Sequence, residues 1–402
     1  MKKSILIFSL LIASLSFFVV SCKKDKPTTE DPTTTIPMGT VTGKVTAANG
    51  TTAIPNANIF VDSGGEIYFT QSNREGVFSL SAPAGTQVLN VQSGSGRIFR
   101  AQYSVVIPEN GTVQVPANTL LLTQSVNLAY ITGLYDDIQS IIIDSLGYTA
   151  TPITVADLSN LTLMQTFGAI FLNCGKSGLM DAQKYQNLKD YVDGGGCLYA
   201  SDWAVEYLTG DGNMKTSGHK LSGHAKTSCA TGMIGGFIED STLCTSKIGL
   251  FTTLYNTQVI APDLQGFLGK TNIDVAYDLD GWDVIQQIES PWEVLVQDAT
   301  NGNGPLAARL YVNSTNKYKN ITKDGTWVTI CHIPPGNPGN AHTITINSNA
   351  LQAHLAHGDY LGSCNSGGTN GGVIYFTTFH NKPQGVISND IQHLLEYFIL
   401  NM

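Results

Sequence analysis

The sequence predicts a multidomain chain: an N-terminal β-sandwich, then a doubly wound α/β domain with a parallel sheet, which carries a small Cys/His-rich insertion. Three observations predict it. Short apolar–polar alternations divided by turn residues fill residues 38–124. Strand-like apolar runs alternating with helical periodicity begin after Ser125. Residues 328–364, a stretch of 37, hold four of the eight histidines and two of the seven cysteines. Period-two alternation puts one face of a strand on a core, whereas strands joined by helices imply parallel pairing through right-handed crossovers.

The first residues read as an export signal. Lys2 and Lys3 precede an apolar run from Ile5 to Val20, closed by Ser21 and Cys22. The run is shorter than the ~20 residues that cross a bilayer, and Lys23-Lys24-Asp25-Lys26 follow at once; a short transmembrane anchor is the competing reading. Val19-Val20-Ser21-Cys22 resembles the lipobox of bacterial lipoproteins. The resemblance implies removal of residues 1–21, diacylation of the Cys22 thiol and acylation of its new amino group, and several acyl chains hold where one would not. The charges after Cys22 are similar to the surface-export signals of Bacteroidota lipoproteins. The expectation is a chain outside the cytoplasm, lipid-anchored in the outer membrane and exposed at the cell surface. Residues 22–37 are too polar to bury and read as a flexible linker.

Composition bounds the partners. Forty-one glycines and only 13% charged residues suit a β-rich extracellular protein. Without Lys2 and Lys3 the chain has 20 basic and 31 acidic residues, a net charge of −11. Nucleic acid is excluded as a partner, since phosphate binding needs a basic footprint. Six cysteines remain besides Cys22, in a compartment that permits disulfides.

Within 38–124, Val41–Val45, Asn58–Val61, Val77–Leu80 and Val88–Val91 alternate at period two. Gly76 precedes a strand, where positive φ is often needed. The order G-K-V, I-P-N-A-N-I at 54–59, S-N-R-E-G-V-F-S-L at 72–80 and P-A-G at 83–85 resembles the carboxypeptidase regulatory-like domain, a prealbumin-like sandwich related to carbohydrate-binding-like folds. That resemblance implies a spacer or a glycan binder.

From 125 the expected order is a strand at Val126–Ile131, a helix carrying Leu134, Ile138, Ile141, Ile142 and Leu146, and a buried strand at Ala169–Leu172. A second helix, opened by Asp181 with Tyr185, Leu188, Tyr191 and Val192 on one face, stops at Gly194-Gly195-Gly196, before a strand at Cys197–Ala200. FGAIFLNCG at 167–175, LKDYVDGGGCLYASDWA at 188–204 and GGVIYFTTFHNKPQ at 371–384 resemble the class I glutamine amidotransferase-like fold, including its trehalose-utilisation-type branch, over 125–320 and 366–402. The inserted module, 321–365, lies between strand-like Ala307–Val312 and Val373–Thr378; its CHIPPGNP, HTI, AHLAHGD and terminal Cys are similar to a compact module of secreted bacterial proteins.

Sites in a parallel α/β sheet form at the carboxyl ends of strands. By position in the amidotransferase resemblance, Ser201 or Asp202 falls near the place of the nucleophile and His380 near that of the histidine. Yet Tyr199-Ala200-Ser201-Asp202-Trp203 lacks the glycines of a nucleophile elbow, and no cysteine occupies it, so amidotransferase activity is not expected. A serine hydrolase using Ser201, Asp202 and His380 is one reading; Ser201 and Asp202 as caps of the following helix is the other. In the glycine-rich loop 211–246, His219, His224 and Cys229 offer a metal site, or Cys229 and Cys244 a disulfide. In the insertion, Asn349 is placed to cap a short helix ending at Gly358 that sets His354 and His357 on one face. With His342 or His332 and a cysteine or Asp359, they would satisfy zinc; Cys331 and Cys364 could instead form a disulfide. The function expected is binding, of glycans or other envelope components, with a hydrolase acting on a sugar or peptide as the competing class.

Overall fold

The computed structural model describes residues 36–175, 178–210, 236–238, 242–299, 302, 304–312, 327–334, 342–356, 358–361, 371–379, 381 and 388–402. The predicted signal peptide, Cys22 and nearly all of the linker lie outside the described residues.

The N-terminal strands form two sheets. In one, Met38–Thr46 pairs antiparallel with Val77–Pro83 and parallel with Thr112–Gln114 and Leu120–Leu121. The other runs Glu66–Gln71, Asn58–Ser63, Gly85–Gln92, Phe99–Ile107, Thr123–Gln124, every neighbour antiparallel. The alternating residues behave as their period requires: Val41, Val45, Phe78, Leu80, Ile59, Leu89 and Val91 all enter one core. Gly76 has φ +76°, and a Cβ there would sit 2.4 Å from Val45 O, so the turn admits only glycine without distortion.

The larger sheet has nine strands, in the order Ala150–Ile153, Asn127–Ile131, Phe167–Leu172, Cys197–Ser201, Val373–Thr377, Gly304–Tyr311, Glu293–Asp298, Thr252–Val259, Asn272–Tyr277. The first five are mutually parallel. The remaining pairings are all antiparallel, so the sheet is mixed where a wholly parallel one was expected. The reason is visible in burial. Phe167–Leu172, Cys197–Ser201 and Val373–Thr377 are buried at every position, as strands covered on both faces must be. Asn272–Tyr277, at the edge, strictly alternates exposed and buried, the signature of an antiparallel strand with one wet face.

The central strands send alternate residues to two cores. Ile170, Leu172, Leu198, Ala200, Ile374 and Phe376 meet Tyr185, Leu188 and Tyr191 of the Ala182–Asp193 helix. Phe171, Tyr199 and Tyr375 meet Leu394, Leu395 and Phe398 of the Asn389–Leu400 helix, in the core that also contains the N-terminal sheets. The Asp181 side chain accepts from Lys184 N at 3.0 Å, capping the first of these helices as expected. The helix predicted from Leu134 is shorter: it spans Ile138–Ser140 and widens into a π-turn over Ile141–Ser145. Leu134 is instead 72% exposed.

Gly304–Tyr311 and Val373–Thr377 are direct partners, so the chain between them leaves and re-enters the sheet side by side. There Trp327–His332 pairs with His342–Asn347 and Tyr360–Leu361. Val328, Ile330, Leu351, Leu355 and Leu361 share a small core with Phe60 of the N-terminal sheets, and Gln92 Nε2 donates to Leu361 O at 2.8 Å. The helical turn there is capped not by Asn349 but by Asn347, whose side chain accepts from Asn349 N at 3.0 Å.

Candidate ligand-binding site

The carboxyl end of the Cys197–Ser201 strand is where the sheet turns polar. Ser201 is fully buried. Its hydroxyl donates to Asp136 Oδ2 and accepts from Cys174 N at 3.1 Å. Asp136 in turn accepts through Oδ1 from Asp137 N at 3.0 Å and Asn381 N at 2.9 Å. Asn381 closes the ring by accepting from Asp137 N at 2.7 Å and donating to Asp137 O at 2.6 Å. Asn173, also buried, holds the neighbouring helix start by accepting from Ile138 N at 3.1 Å. These bonds satisfy polar groups that would otherwise be costly to bury.

Asp202 has φ +47°, an unusual conformation for a residue with a Cβ. It opens a 3-10 turn, Asp202–Val205, yet neither the Ser201 nor the Asp202 side chain caps that turn, which sets aside the capping alternative. Instead the left-handed backbone aims the carboxylate inward. Oδ1 accepts from Asp283 N at 2.6 Å, and the Cys174 thiol donates to Oδ2 at 3.4 Å. Burial and the nearby Asp283 carboxylate raise the Asp202 acid well above the usual carboxylate range, more than the hydrogen bonds and Lys247 lower it. Burial pulls the Lys247 ammonium down, but Glu206, 2.6 Å away, and Asp283 and Asp202 raise it overall.

Above this network lies a cleft of about 200 Å³. Its walls are aromatic: Tyr135, Trp203, Tyr277, Trp282 and Phe379, with Asp202, Asp278 and Asp280 supplying carboxylates. Tyr277 and Trp282 stack with centroids 3.8 Å apart. Tyr277 is fixed by Thr378, whose hydroxyl lies 2.6 Å from the phenol oxygen. Trp282 donates its indole N–H to Leu250 O at 2.9 Å. Trp203 donates to Gly281 O at 2.8 Å, meets Tyr135 edge-on at 5.3 Å and carries the Lys247 ammonium 4.6 Å from its ring centre. Trp203, Tyr277 and Trp282 are therefore each pinned by a polar tip while the apolar body lines the space.

Ser201 and Asp202 are thus brought together, while His380 lies outside the described residues; the flanking Phe379 lines the cleft and Asn381 binds Asp136. Ser201 does not line the cleft. The reading from sequence passed over Asp136 and the 276–282 segment. A paired acid a few residues after a strand, and two aromatics within Ala-Tyr-Asp-Leu-Asp-Gly-Trp, were the available signals.

In the 327–361 stretch, His332, His354 and Asp359 converge, and His342 faces His332 with ring centres 5.3 Å apart. His357, the other histidine expected there, lies outside the described residues, as do His219, His224, Cys229 and Cys364. Cys174 and Cys197 are free, buried thiols, whereas Cys244 and Cys331 are disulfide-bonded. Cys331 is therefore removed from the thiolate ligands considered for zinc.

No family model matches the chain, and no curated protein matches it. Among solved structures it is similar to a ThuA-like protein from Bacteroides uniformis, with 9% identity and a TM-score of 0.32, over 67% of this chain and 88% of that one. Among the described residues, no helix is long and apolar enough to cross a membrane.

Proposed function

We propose that this protein binds a small polyhydroxylated ligand, a sugar unit of an envelope glycan, in the aromatic cleft, and that it is held at a membrane by acylated Cys22. The observation that carries this is the cleft's wall chemistry. A pyranose ring has apolar C–H faces and a hydroxyl rim, which the part-exposed Tyr135 and Trp203 rings with the Asp278 and Asp280 carboxylates complement together. Its volume, about 200 Å³, is below the ~300–1,000 Å³ of pockets for drug-sized ligands, so one ring fits rather than a chain. Binding is favoured over hydrolysis because the Ser201 hydroxyl is sealed and engaged by Asp136 and Cys174 N, where a nucleophile needs an adjacent base and an approach path.

On this reading residues 38–124 are a carboxypeptidase regulatory-like sandwich serving as the stalk. The residues around the nine-stranded sheet form a doubly wound, amidotransferase-like domain without the catalytic cysteine. Cys229 with Cys244 and Cys331 with Cys364 are the disulfides. The test is calorimetric titration of the soluble chain, residues 23–402, with monosaccharides and envelope glycan fragments. Binding should be weakened about 10-fold or more by Trp203→Ala, a loss of about 1.4 kcal/mol. Turnover of a glycan that disappears in Ser201→Ala would replace this reading with hydrolysis.

A further inference from the structure

A second cluster of chemically capable side chains lies away from the cleft. His332 ends the Trp327–His332 strand, His354 stands in the Leu351–Ala356 helix, and Asp359 immediately precedes Tyr360–Leu361, which returns to pair with Cys331. Asp359 Oδ2 lies 2.8 Å from His332 Nδ1 and 2.6 Å from His354 Nδ1. One donor atom from each residue falls within 4.8 Å of the others. The Asp359 side chain is fully buried, while each imidazole is 22% exposed. An ion would therefore arrive past the histidines and meet the carboxylate at the bottom.

The three donors stand on supports that hold them in place. His332 lies in a ladder opposite His342 and next to disulfide-bonded Cys331. The helix bearing His354 is packed through Leu351 and Leu355 onto Val328 and Ile330. Asp359 Oδ1 accepts from Ile333 N at 2.7 Å, which turns Oδ2 toward both rings. Those rings are nearly perpendicular, at 87°, so their nitrogen lone pairs can meet at one point from different directions.

Two imidazoles and a carboxylate are a ligand set for zinc and related divalent ions. Bonds of about 2.0–2.1 Å to a tetrahedral centre hold adjacent donors about 3.3 Å apart. The two Nδ1–Oδ2 separations, 2.8 and 2.6 Å, are several tenths of an ångström shorter, so a small outward movement of the two half-buried rings admits an ion. We infer that His332 Nδ1, His354 Nδ1 and Asp359 Oδ2 bind one divalent transition-metal ion of the zinc class, with His342, whose ring centre lies 5.3 Å from that of His332, as the candidate fourth ligand. The ion ties strand, helix and return segment together and so has a structural role independent of the cleft.

The experiment uses the soluble chain, stripped with chelator and returned to metal-free buffer. Zinc is added, unbound metal is removed, and metal content per chain is measured alongside calorimetry. Uptake of one zinc per chain is expected. Cobalt(II) taken up in its place should give the strong visible absorption of a tetrahedral site. Asp359→Asn keeps the shape and can still accept from Ile333 N; it should lower affinity at least ~10-fold. His393→Gln, an exposed residue on another helix, should leave uptake unchanged. Failure of the unaltered chain to take up stoichiometric zinc would overturn the inference without recourse to any variant. So would equal uptake by Asp359→Asn and by the His332→Gln, His354→Gln double variant, which would leave the triad a hydrogen-bonded staple.

Discussion

Replacing Asp202 by asparagine should stabilise the protein at neutral pH and remove part of the pH dependence of its unfolding. Asp202 is 3% exposed and faces the Asp283 carboxylate. Its acid is raised above the ~3.9 of an unfolded aspartate. The folded chain therefore keeps a proton that the unfolded chain has released. The contribution to stability is most favourable below pH ~4 and is lost as pH rises toward the folded-state value, at about 1.4 kcal/mol per pH unit across that window. Asparagine is uncharged throughout, can accept from Asp283 N as Oδ1 does now, and tolerates the left-handed backbone at φ +47°. The gain at pH 7 therefore exceeds that at pH 4. Urea unfolding at intervals from pH 4 to 8 measures it. The variant-minus-parent difference should grow with pH from near pH 4 and then level off. Parallel stability curves, or a variant more destabilised at pH 7 than at pH 4, would refute the reasoning.

Other outcomes follow from the same geometry. Ser201→Ala should cost about 1–3 kcal/mol in chemical unfolding, because it strips buried Asp136 and Cys174 N of a partner, while leaving ligand affinity within a few-fold of the parent. Arg309→Met should cost about 1–3 kcal/mol by the same measurement, since the carboxylates it leaves behind are partly exposed and solvent takes up part of the loss. The Arg309 side chain is 7% exposed and joins Asp263 at 2.6 Å, Glu293 at 3.0 Å and the Tyr397 hydroxyl at 2.8 Å. Cys22→Ala should shift the full-length protein from the membrane to the soluble fraction on cell fractionation, and normal membrane attachment would exclude lipidation there.

What the sequence disclosed depends on how local each signal was. The Ala182–Asp193 helix was legible because Asp181, four spaced apolar residues and Gly194 all lie within one segment. Phe167–Leu172 and Cys197–Ser201 were legible as apolar runs because both their faces are covered. The antiparallel half of the sheet was not. In Thr252–Val259 the register shifts between Leu254 and Thr257, and Asn256 sits at φ +57° with its N–H taken by the Asp274 carboxylate at 2.8 Å. That irregularity resets the period-two pattern on which strand recognition rests. The cleft was only half legible. Its polar floor at Ser201 and Asp202 follows from strand ends in α/β sheets. Its aromatic walls come from Tyr135, Trp203 and the 276–282 segment, brought together across more than a hundred residues by strand order alone. In the insertion, residue types and spacing located the histidines. Only the pairing of His332 with His342, and the return of Asp359 beneath the His332 and His354 rings, selected which of them meet.

The cleft is most directly tested by following the four tryptophan indole N–H resonances during titration with the glycan fragment that binds best. Trp203 and Trp282 line the cleft, whereas Trp292 lies in the core between sheet and helices and Trp327 stands 48% exposed in the insertion. The indole signals of Trp203 and Trp282 should move together along one saturable curve while those of Trp292 and Trp327 stay in place. Saturable binding that shifts Trp327 and leaves Trp203 and Trp282 unmoved would contradict the assignment of the site.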